Sequence, residues 1–234
     1  MRIIRGAVLI LLLFLPAQAT FNGFFLGAHL GGVLSNSKHT FTNNSGFSGR
    51  DTKDSIGFAL GAHAGLFYEL GRTEFILGLE VYYTKIFNTH KLDLRTGSRN
   101  FVGNVDVQHN FATGAAVMFG WAVNPKMKVY LRLGYEVNSY DFKYKNLMIG
   151  GPTETSVSKR VGRFAPGWGF KYRINKKWAA GFEHIFLFGK TIRPRKVEEI
   201  VDGSVRGFNY SATEQRFILK LTRVFHPGKP DEDD

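Results

Sequence analysis

The sequence predicts an all-β fold, an eight-stranded antiparallel up-and-down transmembrane β-barrel. Three observations predict it. Apolar residues recur at every second position through eight segments, the connections alternate short and long, and one face of the segments carries charges that lipid would not tolerate. Composition agrees: the 234 residues include 27 glycines, 15% aromatics and no cysteine. Such a mixture favours strands over helices, and a chain of this length suits one domain. The absence of cysteine excludes disulfide scaffolds, iron–sulfur clusters, zinc fingers and cysteine nucleophiles.

Before the first strand, Arg2 and Arg5 precede an apolar run, Ala7 to Leu15, which Pro16 breaks ahead of Ala17-Gln18-Ala19. These are the three regions of a secretory signal peptide. The run makes only about 14 Å of helix, half of a hydrocarbon core of about 30 Å, so cleavage after Ala19 is expected rather than anchoring. The expected organisation is a signal peptide at 1–19, a barrel at 20–225 and an acidic tail at 226–234.

In the first segment Phe24, Leu26, Ala28, Leu30 and Leu34 share one face, with Gly27, His29 and Gly31 on the other. The second sets Ile56, Phe58, Leu60 and Tyr68 against Gly57, Gly61, His63 and Glu69. In the third, Leu77, Leu79, Val81 and Tyr83 oppose Gly78, Glu80 and Tyr82. The fourth, about 105–123, sets Phe111, Val117, Phe119 and Trp121 against Asn110, Gly114 and Gly120. In the fifth, Leu131, Leu133, Tyr135 and Val137 oppose Arg132, Gly134 and Glu136. The sixth holds Phe164, Trp168, Phe170 and Tyr172 against Gly167, Gly169, Lys171 and Arg173. The seventh sets Trp178, Ala180, Phe182, Phe186 and Phe188 against Gly181 and Glu183. The eighth ends with Phe217, Leu219, Leu221 and Phe225 against Arg216, Ile218, Lys220 and Thr222. Pro166 lacks a ladder donor, so a bulge or local break is expected in the sixth strand.

Tight turns are predicted at 70–74, 124–127 and 175–177, and long polar loops at about 35–55, 88–104, 141–158 and 189–207. Short connections at one end and long ones at the other are the connectivity of a membrane barrel with both termini on the short side. The polarity of the faces fixes which way the wall is turned. An Arg or Lys against mid-bilayer lipid costs about 2–4 kcal/mol, and several would exceed the roughly 5–15 kcal/mol stability of a typical domain. The apolar face must therefore point outward. Tyr68, Phe75, Trp121, Tyr172, Trp178 and Phe225 fall beside the short turns, where an interfacial aromatic girdle belongs.

The stretches Gly57 to Gly65 and Phe75 to Glu80 resemble the second and third strands of the small outer-membrane β-barrel surface antigens, the superfamily of opacity proteins and outer-membrane-protein-A-like barrels. Trp178 to His184 is similar to its penultimate strand. The resemblance covers about 24–225 and implies a bacterial outer-membrane location, with long loops extracellular and both termini periplasmic. It also implies recognition of the last strand by the barrel-assembly machinery. Phe225 fills the family's terminal aromatic place, but Lys220 stands where a glycine is common and Arg223 where an apolar residue is.

Charges inside a narrow lumen must pair, because an unpaired buried ion costs several kcal/mol. The inward face carries Glu80, Arg132, Glu136 and Glu183 near mid-height, with Arg163 and Arg216 slightly higher. The pattern suggests a lumen filled by an ion-pair network, with a gated, low-conductance ion path as the alternative. Lys171, Arg173 and Lys220 are placed near the short-turn rim, facing Glu69, which would favour anions. Barrels that modify lipid A use a Ser/His pair with an acidic partner. The strand histidines expected to face outward, His109 and His184, have no serine two positions on, so no enzyme is predicted.

His29 and His63 face inward on adjacent strands and are a candidate ligand pair; the family resemblance adds hemin or a metal as its ligand. Two histidines alone are weak evidence, and no cofactor is expected. Lys91, Arg95 and Arg99 in the second loop, and Arg193, Arg195 and Lys196 in the fourth, form basic patches. They are complementary to lipopolysaccharide phosphates or to a polyanion on a host or other surface. With a formal charge of +12 a nucleic-acid partner would be considered, but an exported chain makes it implausible. The expected role is therefore structural or surface-interactive, through four extracellular loops.

Overall fold

The computed structural model describes residues 19–43, 48–70, 74–95, 101–146, 153–194 and 205–225. The expected signal peptide (1–18 of it) and the tail at 226–234 lie outside them. Eight strands follow in order: β1 (Ala19–Asn43), β2 (Ser48–Leu70), β3 (Phe75–Arg95), β4 (Phe101–Asn124), β5 (Met127–Asn146), β6 (Thr153–Arg173), β7 (Trp178–Leu187) and β8 (Val205–Phe225). Each is antiparallel to the next, and β8 returns to β1 with Phe24 opposite Phe225, closing the barrel. Gly23 sits at this closure with φ of +140°, where a Cβ would stand 2.6 Å from the Phe225 carbonyl oxygen. Only glycine fits there without strain.

The wall turns its apolar side outward. Leu30, Leu60, Val81, Leu131, Leu133, Phe164, Trp168 and Leu219 are exposed, while Glu80, Arg132, Glu136 and Glu183 are buried in the lumen. Trp121, Tyr172, Trp178 and Phe225 are exposed beside the short turns, and Phe75 packs edge-on against Trp121 at 5.8 Å.

Higher in the barrel this polarity reverses. Along β5 the inward side runs Arg132, Glu136, Asn138 and then Tyr140, Phe142 and Tyr144, while outside Tyr135 gives way to Asp141 and Lys143. The buried cluster at that end holds Phe41, Leu92, Val105, Val107, Tyr140, Phe142, Tyr144, Ile192, Phe208, Tyr210 and Ala212. Apolar inside and polar outside is the pattern of a water-surrounded barrel. The inversion therefore marks the level at which the wall leaves hydrocarbon.

Two expectations hold only in part. Three of the four predicted long loops are mostly strand: β1 continues to Asn43 and β2 starts at Ser48, β3 runs to Arg95 with β4 from Phe101, and β5 runs to Asn146 with β6 from Thr153. The fourth connection, between Leu187 and Val205, lies where it was expected. Pro166 makes no bulge, since it pairs with Leu133 in an unshifted β5–β6 register. On its other side the expected local break is present: the β6–β7 ladder runs from Arg173↔Ala179 to Gly167↔Ile185 and stops beside Pro166.

That short ladder leaves a seam. Beyond it Arg163 bridges from β6 to the Phe188 carbonyl at 2.9 Å and to the Leu187 and Ala212 carbonyls. From the other side the Lys190 ammonium donates to the Gly162 carbonyl at 3.0 Å. Two cationic side chains thus stand in for strand-to-strand bonds.

Candidate functional site

Inside the barrel, apolar and ionic groups alternate in height. Phe25, Phe67, Ile76, Met118 and Tyr130 cluster near the short turns, and Val33, Ala59, Ile86, Ala112, Ala165, Ile185, Leu187 and Ile218 farther up. The lower ionic group joins four strands. Lys220 on β8 donates to Glu80 on β3 at 2.7 Å and lies 2.6 Å from Glu183 on β7. Arg132 on β5 lies 3.5 Å from Glu183 and 4.0 Å from Glu80, with its guanidinium 4.6 Å above the Tyr82 ring. The Tyr130 hydroxyl donates to Glu183 at 2.9 Å.

The upper group centres on Arg216. It contacts Glu136 at 3.0 Å and Glu214 at 3.3 Å, and donates to Asn138 at 3.0 Å. The Tyr82 hydroxyl donates to Glu136 at 2.9 Å, joining the two levels. Arg163 reaches Glu214 at 3.0 Å and donates to the Tyr140 hydroxyl at 2.7 Å, which itself donates to Glu214. All six residues of the expected network are buried, and each buried carboxylate meets a cation. This is the arrangement that offsets the desolvation of ions removed from water.

Three placements differ from expectation. Lys220 is not at the rim but deep in the lower ionic group, and Glu69 instead pairs with Lys128. The buried Lys171 ammonium lies 4.0 Å and 4.3 Å from the ring centroids of Phe25 and Phe67, and Arg173 is exposed. His109 faces inward, 3.2 Å from Glu214 and stacked on Tyr140. The cause is a bulge: the β4–β5 register steps over Asn110, from His109↔Tyr140 to Phe111↔Ser139, which swaps the inward parity of β4. Glu214 was missed altogether, although it lies on the Arg216 face one alternation earlier along β8.

His184 does face outward, packed against Phe186 and Phe217 and bonded to Gln215 at 3.3 Å. His29 and His63 meet in the lumen with their Nδ1 atoms 3.4 Å apart. Among the described residues no group of three or more His, Cys, Asp or Glu side chains is placed to hold a metal ion. Of the basic contacts, Lys91 and Arg193 are exposed, Arg95 closes β3, and Arg99, Arg195 and Lys196 lie outside the described residues. A lumen cavity of about 10 Å³, bordered by His29, Glu80, Arg132, Glu183 and Lys220, has room for about one water.

A family model described as the outer membrane protein β-barrel domain matches residues 6–186. No curated protein matches the chain. The outer-membrane protease OmpT of Escherichia coli is similar in fold, with TM-score 0.50 and 8% identity over 88% of this chain and 98% of that one. OprG of Pseudomonas aeruginosa gives TM-score 0.46 and 9% identity over 89% and 99%. Neisserial surface protein A gives 0.39 and 10% over 88% and 99%. At these identities the likeness is one of fold.

Proposed function

Because the chain belongs to the outer membrane protein β-barrel family, we propose that it is a non-catalytic barrel acting through its outer end, in envelope integrity or surface attachment. The observation that carries this reading is the filled lumen: two ionic groups between three apolar clusters, with a cavity of about 10 Å³. Function then falls to the parts beyond the bilayer. In this reading the long-connection end faces the exterior and both termini face the periplasm, where the last strand would be engaged by the assembly machinery. The inverted polarity of the upper wall supports that orientation. Basic residues at that end, including exposed Lys91 and Arg193, are complementary to lipopolysaccharide phosphates or a surface polyanion.

The test is adhesion. Replacing Lys91, Arg95, Arg99, Arg193, Arg195 and Lys196 together with serine removes these basic contacts, and binding of cells to a sulfated polysaccharide surface is expected to fall to background while heat-modifiable gel migration persists. Undiminished binding would overturn the attachment role. The second reading, a low-conductance pore, is favoured by the charged residues along the lumen and is separated by planar-bilayer recording. Wild type and Glu80→Ala are both expected to be silent, since the apolar clusters remain in each. Reproducible unitary steps that change in Glu80→Ala would establish the pore instead.

A further inference from the structure

We propose that the acidic segment after β8, Asp231, Glu232, Asp233 and Asp234, docks on a basic arc at the short-turn rim of its own barrel. The arc is assembled by the ladder. Arg173, at the end of β6, donates its amide to the Lys126 carbonyl in the β4–β5 turn at 2.7 Å. It also faces Ala179 across the β6–β7 turn, which carries Lys176 and Lys177. The Lys177 carbonyl accepts the Val224 amide at 2.8 Å, and Arg223 pairs with Trp178. Five cations therefore follow one another from β5 round to β8. The segments that hold them, 124–127, 173–178 and 223–225, contain no carboxylate. Lys126, Arg173, Lys176 and Arg223 are exposed.

Most of the arc belongs to the mouth of the barrel and not to its lipid wall. Lys126, Lys176 and Lys177 sit on turns, and Arg173 lies on the inward column of β6 with Lys171. Of the five, only Arg223 stands on the lipid-facing column, its guanidinium 5.1 Å from the Phe225 ring. Among the described carboxylates at this rim, Glu69 pairs with Lys128, and Glu74 precedes β3, outside the arc. The occupant is tethered where the arc ends. β8 stops at Phe225, one residue past the Lys177 contact, and His226 to Pro230 lead into four consecutive carboxylates. Extended chain advances about 3.3 Å per residue, so Asp231 can lie about 20 Å from Phe225 and Asp234 about 30 Å. Neighbouring strands are about 4.8 Å apart, and a tilt of about 40° widens each step along the rim to about 6 Å. Three such steps put β5 about 19 Å from β8, within reach of all four anions. Tethering also gives the segment an effective concentration in the millimolar range. The rim is thereby self-masked: a free polyanion reaches it only by displacing the segment. The contact is internal to the chain, so it holds whichever side of the membrane this end faces.

The chain has no cysteine, so Pro230→Cys gives a single site for a nitroxide spin label, read in the full chain in zwitterionic phosphatidylcholine vesicles. At about 10 mM salt, where the Debye length is about 30 Å, a broadened, slow spectrum is expected. Tumbling should quicken about threefold or more at about 1 M salt, where that length is about 3 Å. The same release is expected at low salt in Arg173→Ser/Lys176→Ser/Lys177→Ser, whereas Lys91→Ser/Arg193→Ser, at the far end, should leave the spectrum unchanged. All variants are checked for heat-modifiable migration. In case the triple variant fails to fold, carbodiimide cross-linking of wild type supplies the second measurement: carboxylates of 231–234 should join Lys126, Lys176 or Lys177. A spectrum already fast at low salt, one indifferent to salt and to the rim substitutions, or cross-links confined to Lys229 would each overturn the docking. A rim that joins none of these carboxylates yet enriches phosphatidylglycerol from mixed vesicles would belong to lipid headgroups instead.

Discussion

Replacing Arg216 with leucine is expected to destabilise the folded barrel by about 3–5 kcal/mol, the usual result of removing one partner from a buried ion pair. Its guanidinium contacts Glu136, Glu214 and Asn138 at 3.0, 3.3 and 3.0 Å and is 1% exposed. Glu214 keeps Arg163 at 3.0 Å. Among the described residues Glu136 keeps the Tyr82 hydroxyl, at 2.9 Å, and no cation in direct contact, so the loss falls chiefly on its charge. Adding Glu136→Gln should therefore restore a substantial part of the stability, a coupling that a double-mutant cycle reads directly. The measurement is the urea midpoint for refolding into lipid vesicles, with exposed Arg50→Leu as the control. A loss under about 1 kcal/mol, in the range of a surface pair, would mean that water reaches this level of the lumen.

A second large effect is expected on the opposite side of the wall. Leu133 is 46% exposed and adjoins buried Arg132, so Leu133→Arg places a charge one residue away from one that the barrel already tolerates. In lipid the outward charge should cost about 2–4 kcal/mol near the bilayer centre. Exposed Thr89 stands above the inversion of polarity, at the level of Asp141 through the pairings Thr89↔Gln108 and Gln108↔Asp141. An arginine in its place should change stability by less than about 0.5 kcal/mol, as for an ordinary surface site. Equal effects at the two positions would contradict the assignment of Leu133 to hydrocarbon.

The strands were legible because hydrocarbon outside and charge inside give a strict period of two, as in Leu131, Arg132 and Leu133. Above the bilayer that contrast fades. On β1, Ser35, Ser37 and His39 point inward while Asn36 and Lys38 point outward, so both faces are polar and the stretch reads as a loop. A register step is equally silent: nothing about Asn110 announces that the pairing with β5 steps over it and turns His109 inward. The height of Lys220 depends on the stagger between strands, which no single strand encodes. Its partnership with Glu80 and Glu183 therefore had to come from the closed barrel. The inward faces of Glu80, Arg132, Glu136 and Glu183 needed only alternation and were readable from the start.

Seven of the strands run 20 to 25 residues, while about 9–11 tilted residues cross hydrocarbon. On the orientation proposed, roughly half of the cylinder rises above the lipid as a rigid turret. A visiting receptor or antibody would then meet pleated flanks, whose outward columns can vary in sequence without disturbing the packed interior, as much as it meets the connections between strands.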